Sequence, residues 1–446
     1  MAAAMQAAIL TQAPWRDPTT VLSALGEQPW TIGFVSGGPD AAWSYVAAEP
    51  DAVLSLEADD PRDAFEALRA FAGPTAASIA GGPPFQGGVA GLLSYDLGDR
   101  IERLGLDRLD GWPDLACARY PSMLAFDHRQ GRVLAMGRGE TQATAEQNMR
   151  RALGWLDLPS RASVAPAAEL TASDPEAYET AVDEVVSRIR SGEIFQANIA
   201  RRWTGRLSQG AAPVDLLTEL ATASPAPFAA YLRLADRALV SNSPERFVEV
   251  ARDATGLLAR TQPIKGTAPR GATAEADAAL AAELRASPKN RAENLMIVDL
   301  MRNDLSRVCD RVETPELFEL ASFANVHHLV STVIGRLRPG ADAVDLLRAT
   351  FPPGSITGAP KVQAMKVISR LEAPRGPFFG SMFHLGSDGA LDSNVLIRTV
   401  AFARDAQGWR AEARAGAGIV ADSDPALERR ETETKISLLA AALTRN

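Results

Sequence analysis

Apolar and polar positions alternate over many short stretches of this chain, so the pattern predicts strands more often than helices. Trp30–Val35 alternates and is rich in β-branched and aromatic residues, which predicts a strand, with Trp43–Ala47 as its hairpin partner. Met123–His128 and Arg132–Met136 predict a second pair around Arg129-Gln130-Gly131. Glu193–Arg202, Leu239–Ser243, Phe247–Val250, Gly256–Thr261, Val326–Val333, Phe378–Leu385 and Leu391–Phe402 add further strands. Helical spacing is confined to a few segments. Phe65, Leu68 and Phe71 share one face between Asp63 and Phe71. Ser173 and Glu176 form a capping box, Pro175 fits the first turn, and Tyr178, Val182, Val185 and Ile189 make the apolar stripe of a helix that Gly192 ends. Ser287–Leu305 is apolar on nearly every side, which predicts a buried helix. A helix with Val362, Met365, Ile368 and Leu371 on one face follows Pro360, and Asp424-Pro425 starts the last one. These elements predict an α+β fold of antiparallel sheets with helices outside, in two intertwined parts.

Composition changes this picture little. The 446 residues are 46% hydrophobic, ample for a large core. The length allows roughly three domains, or two large ones. An Ala-, Ser- and Pro-rich stretch from Leu158 to Ser173 reads as a long connection. It divides an N-terminal region, residues 1–160, from a second region, residues 174–446. A net charge of -9 argues against a nucleic-acid partner, and an anionic small substrate would need a local positive site. Met1–Leu10 is apolar but has no basic segment before it, so it does not read as a signal peptide. No apolar run reaches membrane-spanning length. Cys117 and Cys309 match no zinc spacing and fit a reducing, cytoplasmic compartment.

Candidate chemistry centres on Thr261-Gln262-Pro263-Ile264-Lys265-Gly266-Thr267. Lys265 stands between a proline-fixed approach and a glycine that allows a tight turn and a close ligand. Lys265 is read as a nucleophile, Glu245 as a proton-transfer group and Glu293 as a metal ligand. The hairpin between Phe247 and Thr261 would bring Glu245 and Lys265 together. Gln196 and Asn198 point to one side of their strand, either as a solvated pair or as amides lining a pocket. Asp299 and Asp304, on the apolar helix, pair most simply with Arg302 or Arg307. His327 and His328 point opposite ways, so only one of them, His328, is a candidate for a site. Arg398, among β-branched and apolar neighbours, needs an anion from the protein or from a substrate. Thr357 and Gly358 lie just before a helix N-terminus, and Gly416-Ala417-Gly418 offers backbone amides; either could hold a carboxylate or be an ordinary joint. Glu428, Glu431 and Lys435 share one face of the last helix. That face is either a solvated surface or, with Glu293, a hard-cation site, and its all-oxygen donors favour Mg2+ over zinc. The glycines of Pro84–Gly98 fit a strand passing close to another backbone better than a phosphate cradle. His128, at a hairpin end, reads as solvated.

In this order, Ser243-Pro244-Glu245-Arg246-Phe247, Pro263-Ile264-Lys265-Gly266-Thr267, Glu293-Asn294, Arg302-Asn303-Asp304-Leu305, His328–Ser331, Gly354–Lys361, Ile397-Arg398-Thr399, Gly416–Ser423 and Glu428–Thr432 resemble the chorismate-utilising enzymes. That family includes anthranilate synthase large subunits, aminodeoxychorismate synthase component I, and isochorismate and salicylate synthases. The match is dense from Asp174 onwards, and Pro84–Gly98 extends it to the amino-transferring branch. The resemblance implies an anthranilate-synthase-like fold. In the isochorismate branch a lysine base stands at the position of Gln196, and a carboxamide has no basic lone pair for that work. Anthranilate synthases usually carry alanine where Lys265 stands, so Pro-Ile-Lys-Gly-Thr implies the aminodeoxychorismate branch. The implied reaction joins chorismate and ammonia into 4-amino-4-deoxychorismate, on the way to 4-aminobenzoate and folate. Ammonia would come from a separate glutamine amidotransferase subunit. By the same resemblance Glu245 is the general acid, Lys265 forms a covalent adduct, and Glu293, Glu431 and Glu428 hold Mg2+. Gln196, Thr357, Gly358, Arg398, Gly416, Ala417, Gly418, Lys435 and His328 are then substrate-binding positions. The alternatives are anthranilate synthase and a catalytically silent subunit that docks a glutaminase or binds tryptophan in the N-terminal part. Gln262, where arginine is common, and Phe378, often tyrosine, depart from the pattern, as do Pro353 and Ser306; none removes a proposed catalytic group.

Overall fold

The structure, a computed structural model, describes residues 6–39, 41–322 and 326–444. It contains two antiparallel sheets, one of twelve strands and one of ten. Both draw strands from each side of the connection near residue 165. In the larger sheet, Ala7–Pro14, Arg132–Gly139, Ser122–Asp127, Trp43–Ala47 and Ile32–Val35 run on into Phe228–Arg233, Arg237–Ser243, Thr399–Asp405, Gly408–Ile419 and Gln196–Arg206. In the smaller sheet, Arg246–Asp253, Leu391–Asn394 and Ser381–Gly386 lead to Gly88–Leu93. The predicted α+β class and the intertwining of the two parts are therefore observed.

Strand alternation explains how the layers close. Leu239 faces a core shared by both sheets, together with Leu56, Phe247, Met382 and Ala401. Its neighbour Val240 faces the opposite side, where Val21, Leu217 and Ile436 bring helices Pro18–Leu25, Pro213–Ala223 and Pro425–Thr444 onto the larger sheet. A smaller core of Val182, Val185, Ile199, Ala364, Ile368, Ala417 and Ile419 packs helices Pro175–Arg190 and Lys361–Leu371 on the end of that sheet. The glycines of Gly88–Leu93 do allow close backbone approach. A Cβ on Gly91 would lie 2.1 Å from the Ala116 carbonyl oxygen, and one on Gly88 would lie 2.2 Å from that of Leu385.

Several expectations need correction. Trp30 and Thr31 precede their strand, which starts at Ile32. Of the apolar start, residues 1–5 lie outside the described residues, and Ala7–Pro14 is an edge strand paired with Arg132–Gly139. The helix after Ser173 is capped by Asp174, which accepts from the Glu176 amide at 3.0 Å; Ser173 instead accepts from the Arg202 amide through Oγ. Helix Pro288–Ser306 buries one face only, with Ile297, Val298, Met301 and Leu305 inside and Leu295 exposed. Asp299 pairs with Arg302 on its outer side, but buried Asp304 pairs chiefly with Lys361, at 2.5 Å. His128 is half-buried rather than solvated, with Nε2 2.7 Å from Ser44 Oγ.

Candidate active site

The chain changes sheets twice at one place. Arg237–Ser243 belongs to the larger sheet and Arg246–Asp253 to the smaller, so Pro244-Glu245 is the crossover. Leu391–Asn394 and Thr399–Asp405 are likewise in different sheets, so Val395–Arg398 is a second crossover. Arg398 thus does not lie within a strand, as expected from its neighbours; it stands at the break with φ +50°. The two crossovers are tied together: the Val395 amide donates to Glu245 O at 3.0 Å, and Ser243 Oγ donates to Val395 O at 2.6 Å. At this seam lies a cavity of about 800 Å3, lined among others by Glu245, Lys265, Glu293, His328, Arg398 and Lys435.

Lys265 reaches the cavity because its strand is irregular. The register of Ile264–Pro269 against Val326–Leu337 shifts between Ile264 and Thr267, and Gly266 takes φ +83°. The Lys265 amine makes no hydrogen bond or ion pair among the described residues. Desolvation lowers its pKa, and nearby Lys435 lowers it further. Glu245 is buried, and that burial raises its carboxyl pKa from 4.5 to about 7 against the opposing pull of Ser355 and the lysines. The expected proximity of an acid and an amine is thus realised in one cavity.

Neighbouring residues divide by strand alternation. Ala197 and Ile199 enter a core, whereas Gln196 and Asn198 are buried on the other side. Both amide atoms of Gln196, and Asn198 Oδ1, have no hydrogen-bond partner among the described residues. On the paired strand, Gly416 and Gly418 border the cavity while Ala417 packs into the same core as Ala197. Ala417 therefore does not line the cavity. The glycines keep the space open: a Cβ on Gly418 would lie 2.9 Å from Gln196 Nε2 and 3.4 Å from Lys265 Nζ. Thr357 and Gly358 do not line it either. Thr357 is fully buried with Oγ1 donating to Pro353 O at 2.8 Å, and Gly358 pairs with Ala197. Ser355 and Ile356, just before them, form the wall instead.

The cavity carries charge of both signs. Arg398 meets no protein anion among the described residues, and burial lowers its pKa. His328 shares an Nδ1 contact of 2.9 Å with Thr267 Oγ1, and burial plus Arg398 lower its pKa to about 4, so it is neutral near pH 7. His327 turns the other way, to Asp277 and Ser322. Glu293, Glu428 and Glu431 line the same cavity. Glu428 accepts from Ser423 Oγ at 2.7 Å; burial raises its pKa, with Glu431 and Glu293 adding to the rise. Lys435 bonds Glu431 at 2.7 Å and Gly416 O at 2.8 Å, and Lys289 stands 3.9 Å from Glu293. Among the described residues no three acidic or histidine side chains converge as a closed metal cluster. The donors are all carboxylate oxygens, and Lys435 and Lys289 offset part of their charge.

Sequence reasoning missed Arg414 and Phe379. Arg414 stacks over Phe378 at 5.0 Å and lines the cavity, as does Phe379, while Phe378 is buried behind them. Gln262 faces away, joining Arg246 and Thr332 beside a second cavity of about 910 Å3.

The family described as chorismate binding enzyme matches residues 33–441. The chain belongs to that family. The aminodeoxychorismate synthase component 1 of Klebsiella aerogenes is 37% identical to this chorismate-binding chain, covering 95% of it and 96% of the relative. The anthranilate synthase component 1 of Streptomyces coelicolor is 38% identical over 92% of the chain and 82% of the relative. The crystal structure of anthranilate synthase component I from Streptococcus pneumoniae superposes with a TM-score of 0.79 at 29% identity, covering 92% of this chain and 94% of the other. No helix among the described residues is long and apolar enough to cross a membrane.

Proposed function

We propose that this chorismate-utilising enzyme is an aminodeoxychorismate synthase component, which replaces the 4-hydroxyl of chorismate by ammonia through a covalent adduct on Lys265. The observation that carries the reading is a lysine amine without a protein partner, its pKa lowered by desolvation, facing a carboxyl that keeps its proton to about pH 7. Glu245 gives its proton to the 4-hydroxyl, which leaves as water while the neutral Lys265 amine bonds to ring C2. Ammonia then adds at C4 and the C2–N bond breaks, returning the amine. The excess proton on the new C4 ammonium goes back to Glu245. Arg398 takes one substrate carboxylate, and Asn198, whose Oδ1 is otherwise unsatisfied, lines the cavity beside the ring, with Gln196 buried on the same side of its strand. Glu293, Glu428 and Glu431 would hold Mg2+, which would neutralise the other carboxylate of the dianion. Ammonia would be supplied by a separate glutaminase subunit, in keeping with the relatives' designation as component 1. The product would feed 4-aminobenzoate and folate synthesis.

The anthranilate synthase relative supports a second reading, in which the same cavity yields anthranilate and pyruvate. Incubation with chorismate, Mg2+ and ammonium, with products resolved by mass, separates the two. An aminated product that keeps its enolpyruvyl group, lost in Lys265→Ala, supports amination at C4; anthranilate with pyruvate contradicts it. No turnover even with a glutaminase subunit would leave a silent docking subunit.

A further inference from the structure

Ser355 is the one residue whose hydroxyl reaches the Glu245 carboxyl among the described residues. Its Oγ donates to Glu245 Oε1 at 2.7 Å, and the serine is 5% exposed. A hydroxyl has a single proton to give, so this donor is spent on Glu245. We infer that Ser355 is a positioning residue for proton transfer: it holds one carboxyl oxygen and leaves the other to carry the proton to the substrate. This rests on Glu245 being the proton donor of the proposed amination.

The segment carrying Ser355 is built to hold it still. Arg375 Nη1 donates to Ile356 O at 2.9 Å, and the Asn198 amide donates to Thr357 O at 2.9 Å. Six residues after Ser355, Lys361 Nζ bridges Asp304 and Thr350 O in a buried site. Helix Pro288–Ser306 closes on the segment so tightly that a Cβ on Gly354 would lie 2.5 Å from Leu300 Cδ2. The backbone that carries the serine is therefore held in place.

The bond also tempers the acid. Burial alone favours the protonated carboxyl, and an acid held too strongly releases its proton slowly. A donor on Oε1 stabilises the carboxylate left after transfer. The charged groups acting on Glu245 are Lys265, from strand Ile264–Pro269, and Lys435, from the last helix; Arg398 and His328 line the same cavity. Neither lysine nor Arg398 donates a hydrogen bond to it among the described residues.

The test is the pH dependence of kcat/KM for the wild type, Ser355→Ala and Ser355→Thr, with Glu245→Gln as control. The carboxyl stretch of Glu245, titrated by infrared difference spectroscopy on the resting proteins, gives a second readout that needs no turnover. Ser355→Ala should move the basic limb and the infrared titration upward by about one pH unit. It should lower kcat about tenfold with KM little changed. Ser355→Thr keeps the hydroxyl and should keep the wild-type titration. A Ser355→Ala protein whose limb and infrared titration stay at the wild-type pH would overturn the inference while leaving Glu245 as the donor. A Glu245→Gln protein with wild-type turnover would overturn both.

Discussion

Burial moves Glu245 and Lys265 toward each other in proton affinity. The carboxyl stays protonated to about pH 7, and the amine loses its proton below its ordinary range. Proton donation by Glu245 requires its neutral form, so kcat/KM should fall as pH rises above about 7, and Glu245→Gln should lose turnover by about 100-fold or more. A pH-independent rate between about 6 and 8, each bound about a unit from the shifted value, would contradict this assignment. Stability has the same sign. Between 4.5 and about 7 the folded chain binds a proton at Glu245 that the unfolded chain does not, so the stabilisation present below 4.5 is lost as pH rises through that window. Denaturant melts of wild type and Glu245→Gln across the window should converge at the acid end. Both residues were legible in the sequence because their motifs are short and local. Arg398 was legible as a cation in need of an anion, but not as a crossover residue. A change of sheet leaves the alternation of β-branched and apolar positions intact on either side.

Glycines separate the elements that carry the fold from those that carry the site. Gly91 has an adjacent backbone where its Cβ would go, so Gly91→Ala should destabilise the protein by about 2 kcal/mol in denaturant unfolding. Gly418 instead borders Gln196 and Lys265, so Gly418→Ala should melt near the wild type and lose about tenfold or more in kcat/KM. Equal effects of the two substitutions on stability would contradict the division. Helix Pro288–Ser306 shows where pattern misleads. Its run of apolar residues suggests burial on all sides, yet only the face toward Asn294, Ile297, Val298, Met301 and Leu305 is covered, and Leu295 is 45% exposed. Asp304 could be placed on that inner face only once Lys361 was seen against it. Breaking that pair alone, as in Asp304→Ala, should cost about 3–5 kcal/mol, because it leaves a buried ammonium unpaired. Thr357, Gly358 and Ala417 were misplaced by one residue or two, since motif reading cannot tell which side of a short strand faces a cavity.

The whole molecule is two sheets that exchange strands, and both cavities lie along their seam. Pro227, Pro244 and Ile264 line the two cavities from opposite sides. Tyr45, Phe34 and His384 make an aromatic corner in the larger one, near Arg246 and Asp392. Strand pairing between residues about 100 to 300 apart, such as Ile32–Val35 with Phe228–Arg233, is invisible to local pattern, so the cavities themselves could not be anticipated. The central claim is the lysine adduct. It is tested most directly by quenching the chain with chorismate and Mg2+ in the absence of ammonia, followed by intact-mass measurement and peptide mapping. The account predicts a mass increase of chorismate less water, confined to Lys265 and absent in Lys265→Ala. Steady turnover on adding ammonia, with Lys265 unmodified at every quench time and Lys265→Ala still active, would contradict it.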